Sequence, residues 1–140
     1  MKPMLLERKN PDIYKLPYPL YVSPKLDGIR CLLTADGPRT RTLKPIPNKL
    51  INQELSFMSF KGLDGELIVG PPNAPDVFNA TTRGVRKADA FPDYKFYAFD
   101  LWDSTAPYGS RLAELEYFCA NLHPLIVFLP STLVKKKKKL

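Results

Sequence analysis

Apolar and polar positions alternate most cleanly over residues 94–102, YKFYAFDLW. As a strand, this run puts Phe96, Ala98 and Asp100 on one face and Tyr97, Phe99 and Leu101 on the other. Shorter runs of the same kind predict strands over 20–23 (LYVS) and 28–34 (GIRCLLT), flanking an Asp27-Gly28 turn signal. Two more are predicted over 63–70 (LDGELIVG) and 125–130 (LIVFLP). Helical spacing predicts a helix over 48–58, capped by Asn48, with Leu50, Ile51, Leu55 and Met58 in step. A second is predicted over 109–122, with Leu112, Leu115, Phe118, Cys119 and Leu122 on one face. Asp36-Gly37 marks another turn, leading into PRTRTLKPIP (38–47), while 71–93 reads as loop with at most one helical turn. The order is β-rich with two or three helices and no internal repeat, an α+β class.

Composition sharpens this picture. A chain of 140 residues with 44% hydrophobic content fits one domain with a core of its own, and 15 prolines suit many turns and short strands. Cys31 and Cys119 sit in apolar surroundings far apart in sequence and read as buried thiols rather than a disulfide. A lone histidine, His123, excludes a histidine-rich metal site. The N-terminus has no signal-peptide pattern and no run reaches membrane-spanning length, so a cytoplasmic protein without a membrane partner is expected, in the host cytoplasm for a viral chain. The net charge of +7 misleads: setting aside Lys135–Lys139 leaves 16 basic against 14 acidic residues, or +2. Five adjacent like charges repel and read as a solvated tail, able to bind phosphate backbones weakly. The expected organisation is an extended lead-in over 1–19, a domain over 20–134 and a lysine-rich tail over 135–140.

Three constellations carry chemistry. The first is Lys25-x-Asp27-Gly28-x-Arg30, in YVSPKLDGIRCLL. A lysine amine attacks an activated phosphate or carbonyl only when unprotonated, so its surroundings must favour the neutral form by desolvation or by nearby cations. Arg30 and Arg41 are the candidate cations, and Gly28 would allow a sharp turn or a close backbone approach. The second is LDGEL, where Glu66 interrupts an apolar strand and needs a partner, a sugar hydroxyl, a metal or an arginine, unless it faces solvent. The third is FYAFDLW, whose rings are either core or, beside an acid at a strand end, a platform for a flat base.

In order and spacing, these stretches resemble the adenylation domain of ATP-dependent DNA ligases of phage type, within the covalent nucleotidyltransferases. PKLDGIR resembles the nucleophile motif, TRTLKPIPN the arginine-bearing segment after it, LDGELIV the glutamate motif and FYAFDLW the aromatic motif. PYGSRLAELE resembles the helix that follows, so the likeness runs over about residues 20–122. It implies an antiparallel-sheet, ATP-grasp-like nucleotidyltransferase fold. It implies that Lys25 attacks the α-phosphate of ATP and holds AMP as a phosphoramidate, with Asp27 and Gly28 shaping the turn. Arg30 and Arg41 would contact the nucleotide or DNA phosphates, Glu66 the ribose, and Phe99 would stack on adenine. Arg41, Lys44 and Arg111 would meet nucleic acid. ATP and Mg2+ are the implied cofactors, with no metal ligand assigned, and nicked duplex DNA is the implied partner.

The family's two further motifs, a glutamate-glycine strand and a strand with paired lysines, are absent after Leu122, as is its second, oligonucleotide-binding domain. The expectation is therefore an incomplete adenylation domain, marginally stable and prone to associate through an unpaired edge. The missing strands or a second domain would be supplied elsewhere, and adenylation by the fragment alone would be slow or absent. Two readings stand beside the DNA ligase: an RNA ligase or capping-type nucleotidyltransferase, which shares KxDGxR, and a non-catalytic DNA-binding remnant. A remnant would keep its affinity without Lys25 and lose it steeply with salt.

Overall fold

The computed structural model describes residues 19–134. The chain order is β1 (Leu20–Val22), β2 (Ile29–Thr34), β3 (Gly37–Arg39), α1 (Lys49–Glu54), β4 (Leu63–Val69), α2 (Val77–Arg86), β5 (Tyr94–Leu101), α3 (Tyr108–Cys119), β6 (Ile126–Phe128) and β7 (Thr132–Val134). Strands β3-β2-β4-β5-β6 form one sheet, antiparallel except where β6 runs parallel to β5. A parallel neighbour needs a crossover, and α3 supplies it. At the centre, β4 is buried along nearly its whole length and paired on both edges, by β2 and β5.

One face of the sheet presents Cys31, Leu33, Leu63, Leu67, Phe96 and Ala98 to a single core closed by Ile51 and Leu55 near α1, Val85 of α2, and Leu115 and Cys119 of α3. Both cysteines are buried free thiols, and burial pushes the Cys119 thiol up to about 11. Asn48 caps α1 as expected: its side-chain oxygen accepts from the Ile51 backbone N–H at 2.9 Å. The helix stops at Glu54, short of the expected 58, because the Ser56 hydroxyl takes the Asn52 carbonyl that a continuing turn would use. Met58–Phe60 is a separate 3-10 turn. Likewise α3 ends three residues early, where Asn121 turns left-handed at φ 60°.

Four departures from the sequence reading bear on the site. The segment 71–93 holds a full helix, α2, whose buried positions Val77, Thr81 and Val85 fall four apart. Strands β1 and β2 do not form a hairpin about Asp27-Gly28. Instead β1 pairs with β7 in a separate two-stranded ribbon, and residues 23–28 run irregularly between the sheets. Within the segment 38–47, β3 ends at Arg39 and the chain folds back, Thr40 donating its N–H to the Lys44 carbonyl at 2.7 Å. The faces of β5 hold only as far as Ala98. Asp64 pairs with Asp100 and Gly65 with Ala98, so Phe99 is the extra residue of a β-bulge, and Leu101 returns to the core opposite Leu63.

The expected lead-in over 1–19, Pro19 apart, and the lysine tail over 135–140 lie outside the described residues. Among those described, no helix is long and apolar enough to cross a membrane.

Candidate functional site

The sheet face away from the core carries a row of side chains set by register. Arg30 on β2 stands opposite Glu66 on β4, and Glu66 stands opposite Tyr97 on β5. Paired residues of neighbouring antiparallel strands project to the same side, so these three meet without help from any loop. Gly28 enters this row from the chain before β2. Its N–H donates to Glu66 Oε2 at 3.1 Å. A Cβ at residue 28 would run into the Leu67 carbonyl oxygen and lie 2.5 Å from Ile68 Cδ1, so only glycine lets the chain come this close to β4.

Next to the row stands an ion pair. Arg30 donates through Nε to Asp64 Oδ1 at 3.1 Å and through Nη2 to Oδ2 at 2.6 Å, a two-pronged contact in which the Asp64 side chain is almost wholly buried. The same guanidinium lies over the Phe99 ring, 5.3 Å from its centroid. The bulge that makes Phe99 the extra residue of β5 brings its ring to this arginine. Burial pushes both the Asp64 and Glu66 carboxyls above the usual carboxylate range. The Arg30 hydrogen bond opposes this at Asp64, and the Gly28 N–H opposes it at Glu66.

A second acid–base pair adjoins the first. Asp100, cross-strand partner of Asp64, accepts from Arg111 Nε at 2.8 Å and from Nη2 at 3.3 Å. Arg111 also donates through Nη1 to the Ala106 carbonyl at 2.8 Å and lies over the Tyr108 ring at 5.2 Å. Tyr108 in turn donates its hydroxyl to the Phe99 carbonyl at 3.4 Å.

Four of the residues singled out from sequence, Gly28, Arg30, Glu66 and Phe99, therefore come together on one sheet face. Lys25 and Asp27 are exposed on the irregular segment that leads into Gly28, not in a hairpin turn. Arg41 and Lys44 are exposed on the loop after the edge strand β3. Arg111, expected at nucleic acid, is tied to Asp100 and fastens α3 to β5. The fork of Arg30, expected on a phosphate, is engaged by Asp64. Asp64 is the residue that sequence reasoning missed. Its signal is an acid inside the apolar strand LDGELIV, beside a strand that carries an arginine.

Among the described residues no group of three or more His, Cys, Asp or Glu side chains is placed to hold a metal. Asp64 is bound by Arg30, and Glu66 by the Gly28 N–H. The described residues therefore do not fit a protein-held Mg2+.

No protein-family model matches the chain, and no curated protein sequence matches it. Solved structures do. The chain is similar to a Chlorella virus DNA ligase-adenylate, with a TM-score of 0.75 and 26% identity over 96% of this chain and 51% of the ligase. A second crystal structure of Chlorella virus DNA ligase-adenylate gives a TM-score of 0.76 and 25% identity over 98% of this chain and 51% of the ligase. A structure of the Lig E DNA ligases, described as binding DNA with a minimal scaffold, is alike in fold. Its TM-score is 0.60, with 23% identity over 83% of this chain and 45% of that one. The fold is that of the DNA ligase adenylation domain, and the chain spans about half the length of the ligases it matches.

Proposed function

We propose that this chain acts as an ATP-dependent DNA ligase, carrying AMP on Lys25 and delivering it to a nick in duplex DNA. The observation that carries this reading is the meeting of Gly28, Arg30, Glu66 and Phe99 on one sheet face, three residues from an exposed lysine. The likeness to two ligase-adenylates over nearly the whole chain supports it.

The residues divide the work by their chemistry. Glu66 offers its carboxylate to ribose hydroxyls, while its bond to the Gly28 N–H sets the end of the Lys25 segment against β4. Phe99 gives adenine a flat apolar face, and Arg30, locked by Asp64, keeps that ring in place from its other side. The unprotonated Lys25 amine forms a bond to the α-phosphorus as the bond to the pyrophosphate oxygen breaks, and the amine proton passes to water. A 5′-phosphate oxygen of DNA then attacks the same phosphorus and the amine leaves, recovering its proton. Finally the 3′-hydroxyl across the nick attacks the DNA phosphorus, its proton passing to water, as the bond to AMP breaks and AMP departs. Arg41 and Lys44, exposed on the loop after β3, provide cations for DNA phosphates. Sealing of this kind belongs to the replication and repair of DNA.

Transfer of label from α-labelled ATP, in buffer with Mg2+, followed by sealing of a nicked duplex, tests the reading. Label should appear on the wild-type protein and fall by about tenfold or more in Phe99→Ala and in Glu66→Ala, the loss expected when nucleotide-positioning contacts are removed. Equal labelling by GTP, or transfer only to RNA ends, would favour the RNA ligase or capping-type chemistry instead. Salt-sensitive DNA binding that survives in Lys25→Ala, with no label taken up, would leave only a DNA-binding protein.

A further inference from the structure

The ribbon of β1 and β7 shares no backbone ladder with the main sheet, yet β1 leads directly into the Lys25 segment. Side chains therefore share in setting where that segment stands, with the approach of Gly28 to β4 and the short link from β6 to β7. The Tyr21 ring meets the Tyr108 ring edge to face, with centroids 5.1 Å apart and planes at 77°. The Tyr21 hydroxyl drops into the space above Gly109 in the first turn of α3. A Cβ there would run into that oxygen and sit 3.3 Å from Tyr21 Cζ. Tyr108 then connects inward, donating to the Phe99 carbonyl at 3.4 Å and carrying the Arg111 guanidinium on its face at 5.2 Å. From the other strand of the ribbon, Ser131 donates its hydroxyl to the Val22 carbonyl at 3.2 Å.

We propose that Tyr21 and Tyr108, seated over Gly109, form a joint that fixes the Lys25 segment relative to Phe99, and that both tyrosines are positioning residues for AMP transfer. The proposal rests on the ligase reading for its consequence but not for its geometry. A nucleophile and a bound base must hold a fixed separation for in-line attack, and a displacement of about 1 Å costs on the order of 100-fold in rate. Neither tyrosine need touch the nucleotide. Tyr21 lies four residues before Lys25, and Tyr108 holds the carbonyl of Phe99 itself.

Gly109→Ala is the sharpest probe, because the obstructed atom is the far end of the Tyr21 side chain and the helix itself accepts alanine. Amide hydrogen exchange should quicken over Leu20–Val22 while the amides of β4 and β5 stay protected. At saturating ATP the rate of AMP attachment should fall by about tenfold or more, with the apparent KM for ATP within about twofold of wild type. Adding Tyr21→Phe removes the clashing oxygen and should restore both the protection and the rate. Tyr108→Phe keeps the ring contact but loses the bond to Phe99, and should slow attachment without loosening residues 20–22.

Wild-type exchange and rate in Gly109→Ala would overturn the joint, as would a double variant that recovers neither. Loss of protection across β4 and β5 in both variants would show a merely structural role and overturn it equally. Should the wild type accept no AMP, the ligase reading fails, and the exchange pattern with its rescue by Tyr21→Phe still decides the joint.

Discussion

Asp64 and Asp100 stand directly opposite each other on β4 and β5, two almost fully buried carboxylates, each answered by its own arginine. Arg30 comes from the neighbouring strand and Arg111 from α3, so the pair of ion pairs ties β2, β4, β5 and α3 together at the place where Phe99 bulges out. Acids set this close repel one another, and the proximity of Asp100 adds to the rise in the Asp64 carboxyl.

Removing one arginine should therefore be costly. Arg30→Met leaves Asp64, with a side chain 1% exposed, beside Asp100 and without its arginine. The expected loss is about 3–5 kcal/mol in urea unfolding, most of it regained in the double variant Arg30→Met/Asp64→Leu. Lys49→Ala, which breaks the exposed pair with Asp89, should change stability by no more than about 1 kcal/mol. Equal losses from the two single changes would refute this ranking.

Glu66 makes a pH prediction with a definite sign. Its folded carboxyl sits above the ordinary value of 4.5, with burial as the first cause, so the native state holds its proton to higher pH than the unfolded chain. Stability from this group is full below the unfolded value and is lost as pH rises through the folded one. The difference in melting temperature between Glu66→Gln and wild type should therefore grow in favour of the variant as pH is raised from about 4.5 toward neutrality. The glutamine oxygen can still accept from Gly28. A difference that shrinks with rising pH would show that the Gly28 hydrogen bond outweighs burial.

Gly28→Ala tests the close approach to β4. The new methyl collides with the Leu67 carbonyl, part of a strand that cannot yield, and its displacement also pulls the Gly28 N–H from Glu66. A loss of about 2–3 kcal/mol is expected. Unchanged stability would mean that the Lys25 segment is not seated against β4.

Asn48 is wholly buried and fully bonded, accepting from the Ile51 N–H and donating to the Lys87 and Ala90 carbonyls at 2.7 and 2.9 Å. Asn48→Asp keeps the cap but loses both donors and brings a charge to two carbonyl oxygens. It should destabilise at least as much as Asn48→Ala, by about 2–3 kcal/mol. A harmless aspartate would reduce Asn48 to a simple cap.

What the sequence made legible was local or register-bound. The alternation of β5 through Ala98, the Asn48 cap and the apolar face of α3 around Leu115 and Cys119 are set by neighbours two to four residues away. Arg30, Glu66 and Phe99 come together because their motifs sit on strands that pair. Helix α2 was hidden because its buried face interposes Thr81 between Val77 and Val85 and follows a run of prolines. The pairing of β1 with β7 depends on residues more than a hundred positions apart and leaves no local mark. The bulge at Phe99 is equally silent, although it decides that Leu101 turns inward and that Asp100 meets Asp64. The engagement of Arg30 and Arg111 by these acids follows from that register and leaves no mark in the local sequence.

The most direct measurement is the intact mass of the protein after incubation with ATP and Mg2+, beside Lys25→Ala. Lys25 is exposed, so its loss should leave the fold undisturbed. The wild type should gain one AMP, slowly for a chain that spans about half the length of the ligases it matches, and the variant none. No gain in the wild type, or the same gain in both, would contradict the ligase reading.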